Sequence, residues 1–407
     1  MTSDPRNSRF ERDAELLAAF FREGARGSKN ANDRMAFAEL LGELWLFNQN
    51  GILNENALEI ELSGSLNFDQ SIERGQPSSK KTWAHVASRL YRVGGHTRLL
   101  LGLVDGLSKG GTEQFLYLTR DTKKELFEQF EAQDAKVKVL TGDLKRKVVS
   151  LVENARNADV VTFMIHPDDI AAAIAARQLS LLGVTTLFIN HSDHTFSYGP
   201  GACSSVCEIS SLGWRLTRDL RVPSAQSFLG IPFTHQSEKV VAGPKLDGPI
   251  VSIGAAYKFE SNADLSFPDA ARNLLGRVSN DLVVIGPMPQ EPGFQEVLEA
   301  FPNRLNLLGP RSPAEVDAIM KSASCYLDSF PVEGGTAFAQ ALLSGLPVFG
   351  LGGKIGSGFS IADTLRYDSV PTMLDGLVAY LSSAREPKNQ SLIREIIRND
   401  HSVSAVV

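Results

Sequence analysis

A chain of 407 residues with 43% apolar and 22% charged side chains has the composition of a globular protein, which excludes a disordered, fibrous or membrane-embedded one and leaves room for two or three domains. With 41 Lys and Arg scattered among 47 Asp and Glu, the net charge is −6, so no cationic face is available for nucleic acid. The three cysteines, Cys203, Cys207 and Cys325, cannot build a disulfide framework; with a polar N-terminus that lacks a secretory signal and no transmembrane segment, they point to a cytoplasmic protein.

Residues 1–81 read as a helical accessory segment. Leu16, Leu17, Phe20 and Phe21 mark a short helix, and Phe37, Leu40, Leu41 and Leu44 form the stripe of a second one. That second helix is expected to be capped by Asn32 or Asp33 and stopped at Asn50-Gly51, with 63–81 as an exit loop. From Thr82, β-rich runs at 83–91, 114–118, 136–140, 159–165 and 185–189 alternate with helical ones, the pattern of βαβ units in a parallel sheet. This gives an N-terminal Rossmann-like lobe over 82–234. A stretch with Pro and Gly, 234–248, is the expected hinge, after which runs at 250–253, 282–285, 305–308, 325–327 and 347–351 repeat the pattern in a C-terminal lobe over 249–385. A C-terminal helix and tail fill 386–407. The fold class is therefore α/β, two doubly wound lobes in tandem, and ligands of such sheets bind beyond the carboxyl ends of the strands.

Chemistry is concentrated at those ends. Residues 327–348 run from a strand through Gly334-Gly335-Thr336 into a helix that ends at Gly345. Glycines admit close backbone approach, and the free N–H groups of a helix start suit a phosphate; an ordinary turn with Thr336 as N-cap is the plainer alternative. Tyr257-Lys258 follow the first strand after the hinge, with a solvated surface lysine as the alternative for Lys258. Gly95-His96 lie between the first strand of the N-terminal lobe and its helix. An imidazole there can take a proton near neutral pH, or serve only as a cap. Two more polar loops are His166-Pro167-Asp168-Asp169 and 190–194 with His191, Asp193 and His194, for which helix capping is again the alternative. His191, His194, Cys203 and Cys207 lack zinc-finger spacing, and Asp168-Asp169 is a poor metal motif, so no metal is expected. The glycines of 350–356 fall too late in the lobe for a dinucleotide loop.

Leu327-Asp328-x-Phe330-Pro331, Gly334-x-Thr336, Ala341-Leu342 and Gly345-x-Pro347-Val348 resemble, without a gap, the donor-binding motif of GT-B glycosyltransferases of the O-linked N-acetylglucosamine transferase and adhesin N-glycosyltransferase type. Gly335 stands where that family has His, and Gln340 where it has Asp. The resemblance implies a GT-B fold over about 82–385, with the UDP diphosphate on the 334–336 turn, ribose at Gln340, and Lys258 on the donor phosphates. It places Gly95 and Tyr257 on the donor side and His96 as general base, while position beyond the strand ends makes Asp193 and His194 further catalytic candidates and His166, Asp168 and His191 candidates for the acceptor side. The implied activity is transfer of a hexose or N-acetylhexosamine from a UDP-sugar to a protein or glycan, with no cofactor. The alternatives are a UDP-sugar epimerase or hydrolase, and a non-catalytic partner of a glycosyltransferase. The N-terminal helices are a candidate surface for a homo-oligomer.

Overall fold

The computed structural model describes residues 5–48, 51–66, 73–75, 80–92, 95–221, 223–231, 245–352 and 361–401. The chain divides into two compact units, Met1–Leu229 and Gly230–Val407. Residues 234–244, most of the expected hinge, lie outside the described residues. Among the described residues, no helix is long and apolar enough to cross a membrane.

The first unit opens with helices α1 (Pro5–Gly27), α2 (Ala31–Phe47) and α3 (Asn56–Ser65). Seven parallel strands follow: β1 (Thr82–Ala87), β2 (Glu113–Leu118), β3 (Ala135–Val139), β4 (Val160–Met164), β5 (Thr185–Asn190), β6 (Ser205–Glu208) and β7 (Gln226–Phe228). They are linked through α4 (Gly95–Lys109), α5 (Glu128–Glu131), α6 (Leu144–Ala155), α7 (Ile170–Leu181) and α8 (Ser211–Leu220). The strand order is β3-β2-β1-β4-β5-β6-β7. β4 is buried along nearly its whole length, as a parallel strand covered on both faces must be. The N-terminal helices are part of this unit's interior. Met35, Ala38, Leu41, Trp45, Leu58 and Leu62 share one core with Val86, Val161, Phe163 and the alanines of α7.

Three local expectations give way. α2 buries Met35, Ala38, Leu41, Gly42 and Trp45, so the inward face is turned from the expected stripe and Leu40 remains 44% exposed. Small residues on the chosen face let the helix approach closely, and the Trp45 indole N–H reaches Glu55 at 3.0 Å. The cap is Asn30, not Asn32 or Asp33; its side chain accepts from the Asn32 N–H at 2.8 Å. The first strand stops at Ala87, short of the expected 91; the Ser88 carbonyl still accepts from the Arg120 N–H at 2.8 Å, and its hydroxyl donates to Asp169 at 2.6 Å. β6 and β7 escaped the sequence reading because they have four and three residues and little β-branched character.

The second unit holds five parallel strands, β8 (Ile250–Ile253), β9 (Leu282–Ile285), β10 (Leu305–Gly309), β11 (Cys325–Leu327) and β12 (Val348–Phe349), in the order β10-β9-β8-β11-β12. Its helices are α9 (Phe267–Leu275), α10 (Gln295–Ala300), α11 (Pro313–Ser322), α12 (Gly335–Leu343), α13 (Val370–Ser383) and α14 (Gln390–His401). β12 is shorter than expected; beyond it Leu351 makes only an isolated bridge to Tyr367. In each sheet the chain reverses its lateral progression beside the first strand, between β1 and β4 and between β8 and β11. Such switch points open a crevice beyond the carboxyl ends of the strands.

Candidate functional site

The residues that follow β8 and β11 meet at the switch point of the second sheet. Lys258 lies in a short 3-10 turn, Ala256–Phe259, and its ammonium donates to the Glu333 carbonyl at 2.9 Å. Burial lowers the Lys258 pKa, opposed by the negative charges of Asp328 and Glu333. It is thus a cation drawn into the protein rather than a solvated surface lysine. Tyr257, its neighbour, turns away and is 58% exposed. α12 begins at Gly335, with Gly334 as an N-cap that offers no side chain, so Thr336 is not the cap. By contrast α6, α7, α8, α9, α11 and α13 all have Asp or Ser caps. The open first turn therefore exposes backbone donors and the positive end of the helix dipole. Among the described residues no other side chain hydrogen-bonds the Thr336 hydroxyl or the Gln340 amide.

This turn is braced from beneath. Asp328, fully buried at the end of β11, accepts from the Gly334 N–H at 3.0 Å and from the Tyr326 hydroxyl at 3.0 Å. Arg366 pairs with it at 2.7 Å, donates to the Gly334 carbonyl at 3.1 Å, pairs with Asp363 at 2.6 Å, and lies 4.1 Å over the Phe338 ring. Burial pushes the Asp328 carboxyl above its usual value even with these partners. A side chain at Gly334 would run into the Asp328 carboxylate, so this turn accepts only glycine at that position.

At the switch point of the first sheet three imidazoles gather. His96, in the first turn of α4, donates from Nε2 to the Met164 carbonyl at 2.9 Å, and among the described residues its Nδ1 is buried without a partner. Burial lowers its pKa. The His191 ring stands edge-on to it at 4.6 Å, with its pKa held well below the ordinary value by burial and by the neighbouring His96. His166, beyond β4, hydrogen-bonds through Nδ1 to Asp168, and its side chain is 34% exposed. Asp168 also pairs with Arg120 at 2.8 Å, and Arg120 reaches Glu39 of α2 at 3.3 Å. Burial alone would raise the Asp168 carboxyl, but its bonds from His166 and Arg120 hold it down at about 2. Burial, reinforced by the charge of Asp169, lifts Glu39 to about 7. Asp169 itself caps α7 through the Ala172 N–H at 3.1 Å and accepts from Ser88 at 2.6 Å, a structural role.

Beyond β5, Asp193 is buried and accepts from Ser210, while His194 sits outside it with Nδ1 3.2 Å from its carboxylate. Arg221, buried beside them, donates to the Asp193 and Thr195 carbonyls at 2.7 and 2.6 Å. Cys203 and Cys207 are buried free thiols. Among the described residues, no group of three or more His, Cys, Asp or Glu side chains is arranged to hold a metal ion. Gly95 is the exposed first residue of α4, whereas Gly94 and most of the 350–356 loop lie outside the described residues. The sequence reading singled out neither Arg120 and Glu39 nor Arg366. Each joins its site from a distant stretch, and no local motif marks them.

No protein-family model and no curated protein matches the chain. Solved structures do. An O-GlcNAc transferase mutant from Thermobaculum terrenum superposes with a TM-score of 0.55 at 14% identity, over 96% of this chain and 83% of the other. Anabaena HepE in complex with UDP and glucose gives 0.55 at 13%, over 80% and 96% of the two chains. A lipopolysaccharide outer core galactosyltransferase, WaaB, gives 0.54 at 13%, over 80% and 97%. This chain thus has the two-domain α/β fold of the GT-B glycosyltransferases, a fold that supports glycosyl transfer.

Proposed function

We propose that the chain moves a hexose or N-acetylhexosamine from a UDP-sugar to a hydroxyl or amide of a protein or glycan. The observation that carries this reading is the meeting of an inward-drawn ammonium, Lys258, with an uncapped helix start, Gly334 to Thr336, at the switch point of the second sheet. Free N–H groups, a dipole and a cation together suit a diphosphate. In the reaction the acceptor atom bonds to the anomeric carbon, the bond from that carbon to the β-phosphate oxygen breaks, and UDP leaves with the electron pair. Lys258 and the first-turn amides of α12 meet the charge that develops there. The Gln340 amide, one turn further along α12, offers donors and an acceptor to ribose hydroxyls. HepE, whose solved complex contains UDP and glucose, supports a UDP-sugar as donor.

Thermal unfolding with UDP, GDP and TDP tests the reading. UDP at a hundredfold excess over its Kd adds about 2.7 kcal/mol and raises the melting temperature. A panel of UDP-glucose, UDP-galactose and UDP-N-acetylglucosamine, with and without peptide and glycan acceptors, then follows UDP release. Release that needs no acceptor identifies a hydrolase or epimerase. Absence of any response to UDP identifies a non-catalytic partner and ends the transferase reading.

A further inference from the structure

We infer that the outer face of α1 and α2 is a two-fold interface at which the chain pairs with a second copy of itself. This pairing is independent of the transferase reading. α1 and α2 form an antiparallel hairpin, in which the Arg34 guanidinium donates to the Ala25 carbonyl at 2.8 Å and the Phe20 ring stands edge-on to Phe37 at 5.9 Å. One side of the hairpin joins the core of the first unit through Ala18, Ala25, Met35, Ala38, Leu41 and Trp45. The other side carries Leu16, Leu17 and Phe20 of α1 with Leu40 and Phe47 of α2, exposed at 64, 48, 58, 44 and 79%.

Phe37 and Leu44, only partly buried, complete the row on α2, where positions 37, 40, 44 and 47 recur at helical spacing. α2 is thus apolar on two opposite sides. A helix apolar all round belongs in an interior, yet among the described residues no element packs on its second side. The two phenylalanines expose about 200–340 Å² and the three leucines a similar area, roughly 500 Å² in all, a size at which a patch rimmed by polar groups marks a contact site. Two such faces bury about 1,000 Å², where specific interfaces begin.

Charge selects the occupant. Helical spacing sets Arg12 and the acids Asp13, Glu23, Asp33 and Glu43 three or four residues from the apolar positions. That acidic excess disfavours an anionic lipid surface, the other apolar occupant. A second copy fits. A two-fold axis parallel to the hairpin lays α1 on α2 of the other copy, antiparallel and at the heights the hairpin already has. Phe20 then meets Phe37, Leu16 and Leu17 meet Leu40, and Arg12 comes to the end of α2 that carries Glu43. Among the described residues Arg12 and Glu43 make no ion pair within the chain, and the symmetry forms the cross-pair twice.

Sedimentation equilibrium of the full chain should give twice the chain mass at about 10–100 µM, since interfaces of this size hold with micromolar constants. Leu16→Glu combined with Phe47→Glu should return the monomer mass and leave the far-ultraviolet spectrum unchanged, because both side chains already face outward. Arg12→Glu alone should weaken the dimer by about tenfold. Joined with Glu43→Arg it should recover, which no defect in folding would do. A monomer across that concentration range overturns the inference, and so does a dimer that survives Leu16→Glu with Phe47→Glu. A charge swap that restores nothing overturns the antiparallel register. A monomer that floats with vesicles of phosphatidylcholine and phosphatidylglycerol, and ceases to do so in the same double variant, gives the face to lipid instead.

Discussion

Arg366→Met removes the cation that braces the 334–336 turn while keeping most of the side chain's bulk. Asp328 and Arg366 have side-chain exposures of 0% and 2%, so the variant leaves a buried carboxylate without its counter-charge, a loss of about 3–5 kcal/mol. The Leu351 and Gly334 carbonyls, each 3.1 Å from the guanidinium, lose a donor as well. For a unit of this size, such a loss lowers the melting temperature by roughly 6–20 °C.

The loss depends on pH in a defined direction. The Asp328 carboxyl is already raised by burial, and more so without Arg366, so in the variant the folded state binds a proton more tightly than the unfolded one. That contribution is present at low pH and fades as pH rises through the folded value, so the deficit is smaller at pH 5 than at pH 8. Urea unfolding at both pH values, with and without UDP, measures it. Asp328→Asn combined with Arg366→Met should recover part of the loss, because no charge is then stranded. A single variant that melts within about 2 °C of the parent, or a deficit equal at the two pH values, would refute the reasoning.

Two further outcomes follow from individual side chains. Lys258→Met keeps the stem but removes the ammonium; it should weaken the melting response to UDP and slow UDP release by about 10²–10³, read from steady-state rates. Glu59 is buried at 1% exposure, and burial lifts its carboxyl to about 7 against the charge of Arg177, so the parent loses stability as pH rises through that value. Glu59→Gln, which never ionises, should gain roughly 2–3 kcal/mol on the parent between pH 5 and pH 8.5, at about 1.4 kcal/mol per unit; parallel denaturation curves at the two pH values would contradict the assignment.

What could be read from the chain is what local sequence determines. The 250–253, 282–285 and 325–327 runs are strands residue for residue, since short apolar β-rich runs between turn signals leave little freedom of register. The Gly334 turn was legible from its glycine pair, which sits between a strand and a helix start and admits a close backbone approach that a side chain would block. The α2 face was not, because periodicity marks a stripe without saying which edge of it meets the sheet, and that edge was decided by Gly42 packing on Asp168 and Tyr198. The site partners were illegible in principle. Arg366 lies 38 residues from Asp328, and Glu39 lies 81 from Arg120, separations over which no spacing rule carries information.

The histidines show the same division more sharply. In sequence, His96 beside a glycine-rich turn is the candidate base, and His166 beside two aspartates a candidate for the acceptor side. Their difference lies in where each ring nitrogen ends, which depends on a carbonyl 68 residues from His96 in one case and on a carboxylate two residues from His166 in the other. The local pair could have been read as a dyad from the His-x-Asp spacing alone. What the spacing could not supply was the surroundings: among the described residues the His96 Nδ1 is buried without a hydrogen-bond partner, while Asp168 beside His166 pairs with Arg120, which reaches Glu39 of α2.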